Sequence, residues 1–203
     1  VAGLSTNGRN AIVDGLASVT THIGLLDASG TEITGGTPAY ARKAVTWTAA
    51  AAGIRDNNAQ LLFDIPAATT VAFHGLYSAI TAGTNYAILP VQGGSPALPM
   101  LATILASTDV FTSFAHGLVN TDRVLLSDER SAGLPATFDE NTIYYVIASA
   151  TDTFQLSLTS GGAAVTVTAN AELFVQKCVP EVFAAQGQYS IATGALDLDA
   201  NLI

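Results

Sequence analysis

The sequence predicts an all-β chain with one short N-terminal helix, its strands forming an antiparallel β-sandwich or barrel base that is discontinuous in sequence. Three observations predict it. Short apolar runs recur at intervals of about 10 to 20 residues between loops of Gly, Pro, Asn, Asp and small residues, the spacing of an antiparallel sandwich or barrel. Only one stretch, near the N-terminus, has helical spacing. The composition changes abruptly at Gln92, where two glycines and two prolines fall within QGGSPALP.

The helix is expected over residues 7–18. Ser5 or Thr6 can cap it, and Leu4, Ile12, Leu16 and Val19 fall near one helical face, although Gly8 and Gly15 weaken the propensity. Thr20 to Leu26, β-branched and aliphatic, reads as a strand, and Asp27 to Gly30 as a turn that Gly35, Gly36 and Pro38 extend. Tyr40 to Thr48 carries β-formers in its C-terminal half, with Val45 and Trp47 on one face and Thr46 and Thr48 on the other. The alanine run 49–52 is too short to nucleate a helix, and Gly53, Asp56, Asn57 and Asn58 end it. Gln60 to Ile65, Thr70 to Ala79 and Tyr86 to Val91 complete five extended segments. Val45, Trp47, Leu61, Phe63, Val71, Phe73, Leu76, Tyr77 and Tyr189 are the expected core.

A second β-rich block runs from about Thr103 to Lys177. In it, residues 143–147 read as a strand, 150–153 as a turn and 154–158 as an alternating strand. Gly161 and Gly162 then predict a hairpin into a strand at 164–168. The last segment, 180–203, holds one or two short strands that cannot stand alone and must complete a sheet supplied elsewhere. The simplest organisation is a discontinuous base, 1–91 plus 180–203, a linker over 92–99 and an inserted module over 100–179.

Composition narrows the function. Of 203 residues only 11% are charged while 49% are hydrophobic, many of them alanine. Such a surface suits packing against copies of itself or another protein. A formal charge of −9 with seven scattered Lys and Arg argues against nucleic acid, which demands clustered cations. No stretch reaches the roughly 18 to 20 apolar residues of a membrane helix, and VAGLSTNGRN shows no secretory signal, so no membrane partner is expected. The single Cys178 excludes an internal disulfide framework and reads as a small apolar residue near a strand start.

Enzymatic constellations are weak. His22, His74 and His116, each in a strand-like context, have no metal-motif spacing. Asp128 with Glu129, and Asp139 with Glu140, are sequence neighbours that an extended chain turns to opposite faces, so neither pair flanks one glycosidic bond; both read as solvated loop charges. Asp197 and Asp199 share a face and, with Asn201, could line a calcium site, but the loop glycine and further ligands are missing, which favours a solvent-facing strand edge. Ser5, Ser78 and the other serines lack a nucleophile elbow, and no phosphate-cradling loop is present. Of Tyr144 and Tyr145 one should face inward and one outward. No catalytic, cofactor-binding or metal residue is assigned, no cofactor is expected, and the chain is read as a non-enzyme.

Motifs in order supply a sharper expectation. TNGRNAIVDGLA, HIGLLDASGTE, GGTPAYARKAVTW, FDIPAATTVAFHGLYSA and VFAAQGQYSIATGALDLD resemble a group of small tailed-bacteriophage virion proteins, usually minor tail or tail-fibre proteins, with some small β proteins serving as head decorations. The likeness covers about 1–91 and 180–203. In that family a phrase like AlaIleLeuPro is soon followed by one like PheAlaAlaGlnGlyGlnTyr; here about 90 residues intervene. The intervening block, from SerPheAlaHisGlyLeu at 113 through ThrPheGlnLeuSerLeu to the Gly161–Val165 phrase, is similar to a small β-barrel repeat common in phage structural proteins, comparable in fold to the FCCH domain of ubiquitin-activating enzymes. The resemblance implies an inserted small β-barrel that adds surface bulk or contacts. It further implies a virion location, after assembly in the host cytoplasm, and other virion proteins, tail or major capsid, as partners. A homo-oligomer follows, trimeric around three-fold positions if the chain decorates a capsid. A carbohydrate- or receptor-binding module is the reading from a different class.

Overall fold

In the computed structural model, which describes residues 4–91, 99–128, 133–140 and 142–200, the chain is mostly β with one N-terminal helix, several small antiparallel sheets and a closed six-stranded barrel. It divides into two compact units, Val1–Pro96 with Pro180–Ile203, and Ala97–Val179. The expected linker falls almost wholly on 92–98, outside the described residues.

In the first unit, the base, helix α1 spans Thr6–Val19, one residue longer at each end than expected, and Ser5 caps it by accepting the Gly8 N–H at 3.2 Å. The inward face differs from the expected one. Val13 and Ala17 are buried and Leu16 partly so, whereas Leu4, Ile12 and Val19 are exposed. The helix is apolar on two sides, and polar ties choose between them: Asn10 Oδ1 accepts the Gly53 N–H at 2.7 Å, and Asp14 pairs with Arg55 at 3.1 Å. These hold α1 against strands β3 (Ile54–Asp56) and β16 (Asp197–Asp199).

Strands β1 (His22–Leu26), β2 (Lys43–Ala44), β6 (Phe73–Tyr77) and β7 (Asn85–Pro90) form an antiparallel sheet in the order β2-β1-β6-β7. The strand expected within 40–48 shrinks to β2 because the segment divides its pairing. Val45 donates to Thr21 O, while Trp47 bridges to Asn57. Thr70 to Ala79 is likewise two strands, β5 (Thr69–Val71) and β6, with the chain changing partner at Ala72. The alanine run forms no helix. Ala51 and Ile54 exchange two backbone bonds at 3.0 Å around Ala52 and Gly53, both at positive φ, and this two-residue turn leads into β3, which the sequence reading missed.

The C-terminal segment contains three strands, not one or two. β14 (Glu181–Phe183) pairs with β5, β15 (Gly187–Ile191) with β4 (Leu61–Ile65), and β16 with β3, all antiparallel. The tail therefore runs back along residues 54–71 as one interrupted ribbon. Its inward residues Leu61, Phe63, Ile65, Tyr189, Ile191 and Leu198 join Ile23, Leu25 and Leu76 in the core. Of the expected core all are buried except Trp47, which is half-buried and gives its indole N–H to Thr20 O at 2.9 Å.

The second unit is a closed barrel, β10-β11-β12-β9-β8-β13, from β8 (Met100–Leu105), β9 (Val110–Thr112), β10 (Arg123–Asp128), β11 (Tyr144–Ile147), β12 (Thr153–Ser157) and β13 (Ala171–Cys178). Alternate residues fill it: Ile104, Phe111, Val124, Leu126, Tyr144, Val146, Phe154, Leu156, Leu173 and Val175 are all buried. The strand expected at 164–168 is absent although the turn at Gly161 forms. Val165 makes one bond to Leu156 O, and Val167 gives its N–H to the Asp109 carboxylate at 2.7 Å, so a side chain replaces the strand partner. Cys178, buried as a small apolar residue, ends β13 three residues before β14 begins.

Candidate functional site

The densest polar constellation in the base was not singled out by sequence. Gly24 and Gly75 lie opposite each other on β1 and β6, and a Cβ at either would come within 2.7 or 2.5 Å of the Tyr77 ring. The two glycines therefore make a bed for that ring. The Arg42 guanidinium caps its other face 3.5 Å from the centroid. Arg42 also grips Glu32 with two nitrogens at 2.6 and 2.7 Å and donates to Ala79 O and Ala82 O at 2.9 and 2.5 Å. The hydrogen bonds that Arg42 gives to Glu32 raise the Arg42 pKa, and burial raises that of Tyr77. Four of the five N–H groups of Arg42 are given to acceptors inside the chain, so the cluster braces the loop before β2 against the β6–β7 hairpin. A signal was available: Arg42, Tyr77 and the glycines lie in the resemblance motifs.

Two more polar nodes join the C-terminal ribbon to the rest. Fully buried Asn57 sits at the break between β3 and β4. Its amide donates to Ala59 O and Ala192 O at 2.8 Å each, and its Oδ1 accepts Leu196 N–H at 2.9 Å. His74 on β6 meets the Tyr189 hydroxyl of β15 at 2.8 Å, and burial pushes its pKa down to about 4, which leaves a neutral ring at pH 7.

The two histidines of the base do not converge. His22 and His74 lie at opposite ends of the β1–β6 pairing, and His116 belongs to the barrel unit. His116 corrects the strand expectation: it sits buried in the loop after β9, its Nδ1 accepting Leu118 N–H at 3.0 Å and its ring edge-on to Phe154. Among the described residues no group of three or more His, Cys, Asp and Glu could hold a metal ion.

The carboxylates redistribute. Asp128 is the last residue of β10 and not a loop charge; its amide reaches Glu140 at 3.3 Å and its carboxylate takes Gly133 N–H at 2.8 Å. Glu129 and Asn201 lie outside the described residues. An open cleft of ≈ 390 Å³ beside Asp128 is lined also by Leu134, Pro135, Asn170 and Glu172. Asp139 gives its N–H to the Tyr144 hydroxyl at 2.9 Å. Asp197 faces Asp56 directly across the β3–β16 pair. Burial first, then the hydrogen bond and charge of Asp56 and the charge of Asp199, raise its pKa to about 6. Tyr144 is buried and Tyr145 half-buried, with Arg123 5.4 Å from the Tyr145 ring centroid. Ser5 caps α1 and Ser78 accepts Thr84 N–H within the β6–β7 turn.

Phe114 is 89% exposed on the loop after β9, which Asp152 ties down through Ser113 and Ala115. The polar groups with the most partners thus brace the fold, while some large apolar side chains, Phe114 and Val182 most of all, lie exposed. Comparison with protein-family models, with curated proteins and with solved structures finds no match to this chain.

Proposed function

We propose that the chain is a structural component of a bacteriophage virion, tail-associated as a minor tail or fibre-like protein, acting through protein–protein contacts and not through catalysis. One observation carries the reading. The two stretches with the ordered motif resemblance, 1–91 and 180–203, pair with each other along β3–β5 and β14–β16, and their motif residues Arg42, His74, Tyr77 and Tyr189 are spent on internal bracing. Such a base is a scaffold whose outer surface is left for neighbours. The barrel, entered and left at the base, adds a second surface.

Copy number per particle tests the reading. Quantitative mass spectrometry of purified virions should find a handful to a few dozen copies, with label at the tail in electron micrographs. Hundreds of copies on the head would replace it with capsid decoration. Absence from the particle would remove both.

A further inference from the structure

The loop after β9 is held down by a histidine that serves as a turn acceptor. A backbone N–H can only donate, so the 3.0 Å bond from Leu118 N–H makes His116 Nδ1 the acceptor and puts the neutral ring's one proton on Nε2. The bond spans two residues, the closure that an Asx turn makes. His116 is 8% exposed and Leu118 3%, and Nε2 is buried with no hydrogen-bond partner. The ring meets Phe154 instead, edge-on at 4.9 Å between centroids.

A charged imidazole does not fit this setting. Protonation places a second N–H on Nδ1, facing the Leu118 N–H, and two donors cannot share one bond. Both ring N–H groups of a buried cation are then left without an acceptor, which burial penalises. Opening the loop relieves both faults, because water reaches the ring.

The closed loop is also strained. Ala115, Gly117 and Thr121 have φ of +48°, +64° and +77°, and only the glycine takes this region without cost. Carboxylates hold the flanks. Asp152 accepts Ala115 N–H at 2.8 Å while its backbone O takes Ser113 N–H at 2.9 Å, and Asp122 accepts Val119 N–H at 2.8 Å while pairing with Lys177 at 2.7 Å. Between the flanks Ser149 gives its hydroxyl to Leu118 O at 2.7 Å, and His116 closes the turn. Asp152, Asp122, Lys177 and Arg123, the last turned to the Tyr145 ring, are the charged groups on the segments around the loop; β9 and β12 carry no charge.

We propose that residues 113–119 form a proton-released strap, pinned to the barrel while His116 is neutral and freed when His116 takes up a proton. Release turns Leu118 and the edge of Phe154 toward solvent, and it converts Phe114 from a fixed projection into a mobile one. The stored backbone strain favours the open form as soon as the Leu118 bond is lost. The device is intrinsic to the barrel and does not rest on a virion location.

Amide hydrogen exchange of the full chain from about pH 7.5 to 5, followed by NMR and corrected for its intrinsic pH dependence, tests the strap. Protection of Leu118 N–H should fall at least about tenfold on acidification, within the about thirtyfold that an ordinary imidazole value near 6.5 allows at pH 5, while the β12 amides keep theirs. In the same samples imidazole nitrogen shifts should show the proton of neutral His116 on Nε2. His116→Asn should abolish the response, because its amide oxygen closes the same turn and takes no proton. Asp152→Asn, which keeps an oxygen for Ala115 N–H, should retain it. A neutral ring protonated on Nδ1, Leu118 protection indifferent to pH, or an equal fall across β12 would each overturn the proposal. So would a response that survives His116→Asn or vanishes in Asp152→Asn.

Discussion

The base and the barrel solve the same problem, pairing short strands around an apolar centre, in opposite ways. The barrel takes six strands from one contiguous stretch and closes them, so no sheet edge is left to satisfy. Its interior is an aromatic cluster, with Phe111 5.1 Å from Phe154 and 5.6 Å from Phe138, and Phe138 5.3 Å from Tyr144. Carboxylates tie its loops, Asp109 to Val167, Asp122 to Val119 and Asp152 to Ala115. The base is a set of short pairs with a break between each, and every break frees backbone groups. Buried Asn57 fills one such break, accepting from Leu196 across 139 positions, and half-buried His74 adds a side-chain tie to Tyr189 across 115. In the barrel such stitches hold loops outside a closed sheet, whereas in the base Asn57 joins the β3–β4 break to the β15–β16 break.

The largest expected effect comes from removing residues 180–203. The base should lose its cooperative transition, and the emission of the single tryptophan, Trp47, should be that of an unfolded chain, while the aromatic near-ultraviolet signal of the barrel persists. Native Trp47 emission in that variant would break the contrast. Next, Phe154→Ala should cost the barrel about 3–5 kcal/mol, from lost burial and a cavity, and leave the Trp47 midpoint in place. Equal shifts in both signals would mean that the units unfold as one. Asn57→Leu strands two carbonyls and one N–H and should cost the base about 3 kcal/mol in urea melts followed by Trp47.

The smallest effect is a compensation in pH. The folded base holds His74 neutral down to about 4, against 6.5 unfolded, so the unfolded chain binds more protons between those values and His74 lowers stability as pH falls through the window. Asp197 acts in reverse. Its folded value is about 6 against an ordinary 3.8, so its contribution is full below 3.8 and lost as pH rises through 6. Asp197→Asn removes the opposing slope, and the Trp47 midpoint of that variant should fall more steeply than the wild type from pH 6.5 to 4. A flatter profile would refute the assignment.

Much of this was legible in residue order. β1, β4, β7, β11 and β12 follow their apolar runs within a residue or two, because alternation and turn residues act locally. The failures share one cause: a partner distant in sequence. β2 is short because Val45 and Trp47 serve different neighbours, and Ala72 divides one apolar run because its flanks pair with the tail and with β1. Residues 164–168 alternate like a strand, yet Asp109 claims Val167. The inward face of α1 was misread because helical spacing admits two apolar sides, and Asn10 and Asp14, rather than hydrophobicity, decide between them. Of the polar nodes, Asp197 was noticed, but Asp56 opposite it appears only once β3 and β16 are paired.

The interrupted ribbon also dictates an order of events during synthesis. Chain emerges from the ribosome N-terminus first, so β3, β4 and β5 appear long before their partners β16, β15 and β14. The barrel is complete in between, and with partners nearer in sequence it has the lower contact order and the faster route to its native state. Until the last strands arrive, half of the base waits with unpaired edges, and it is during that interval that the nascent chain is most exposed to aggregation.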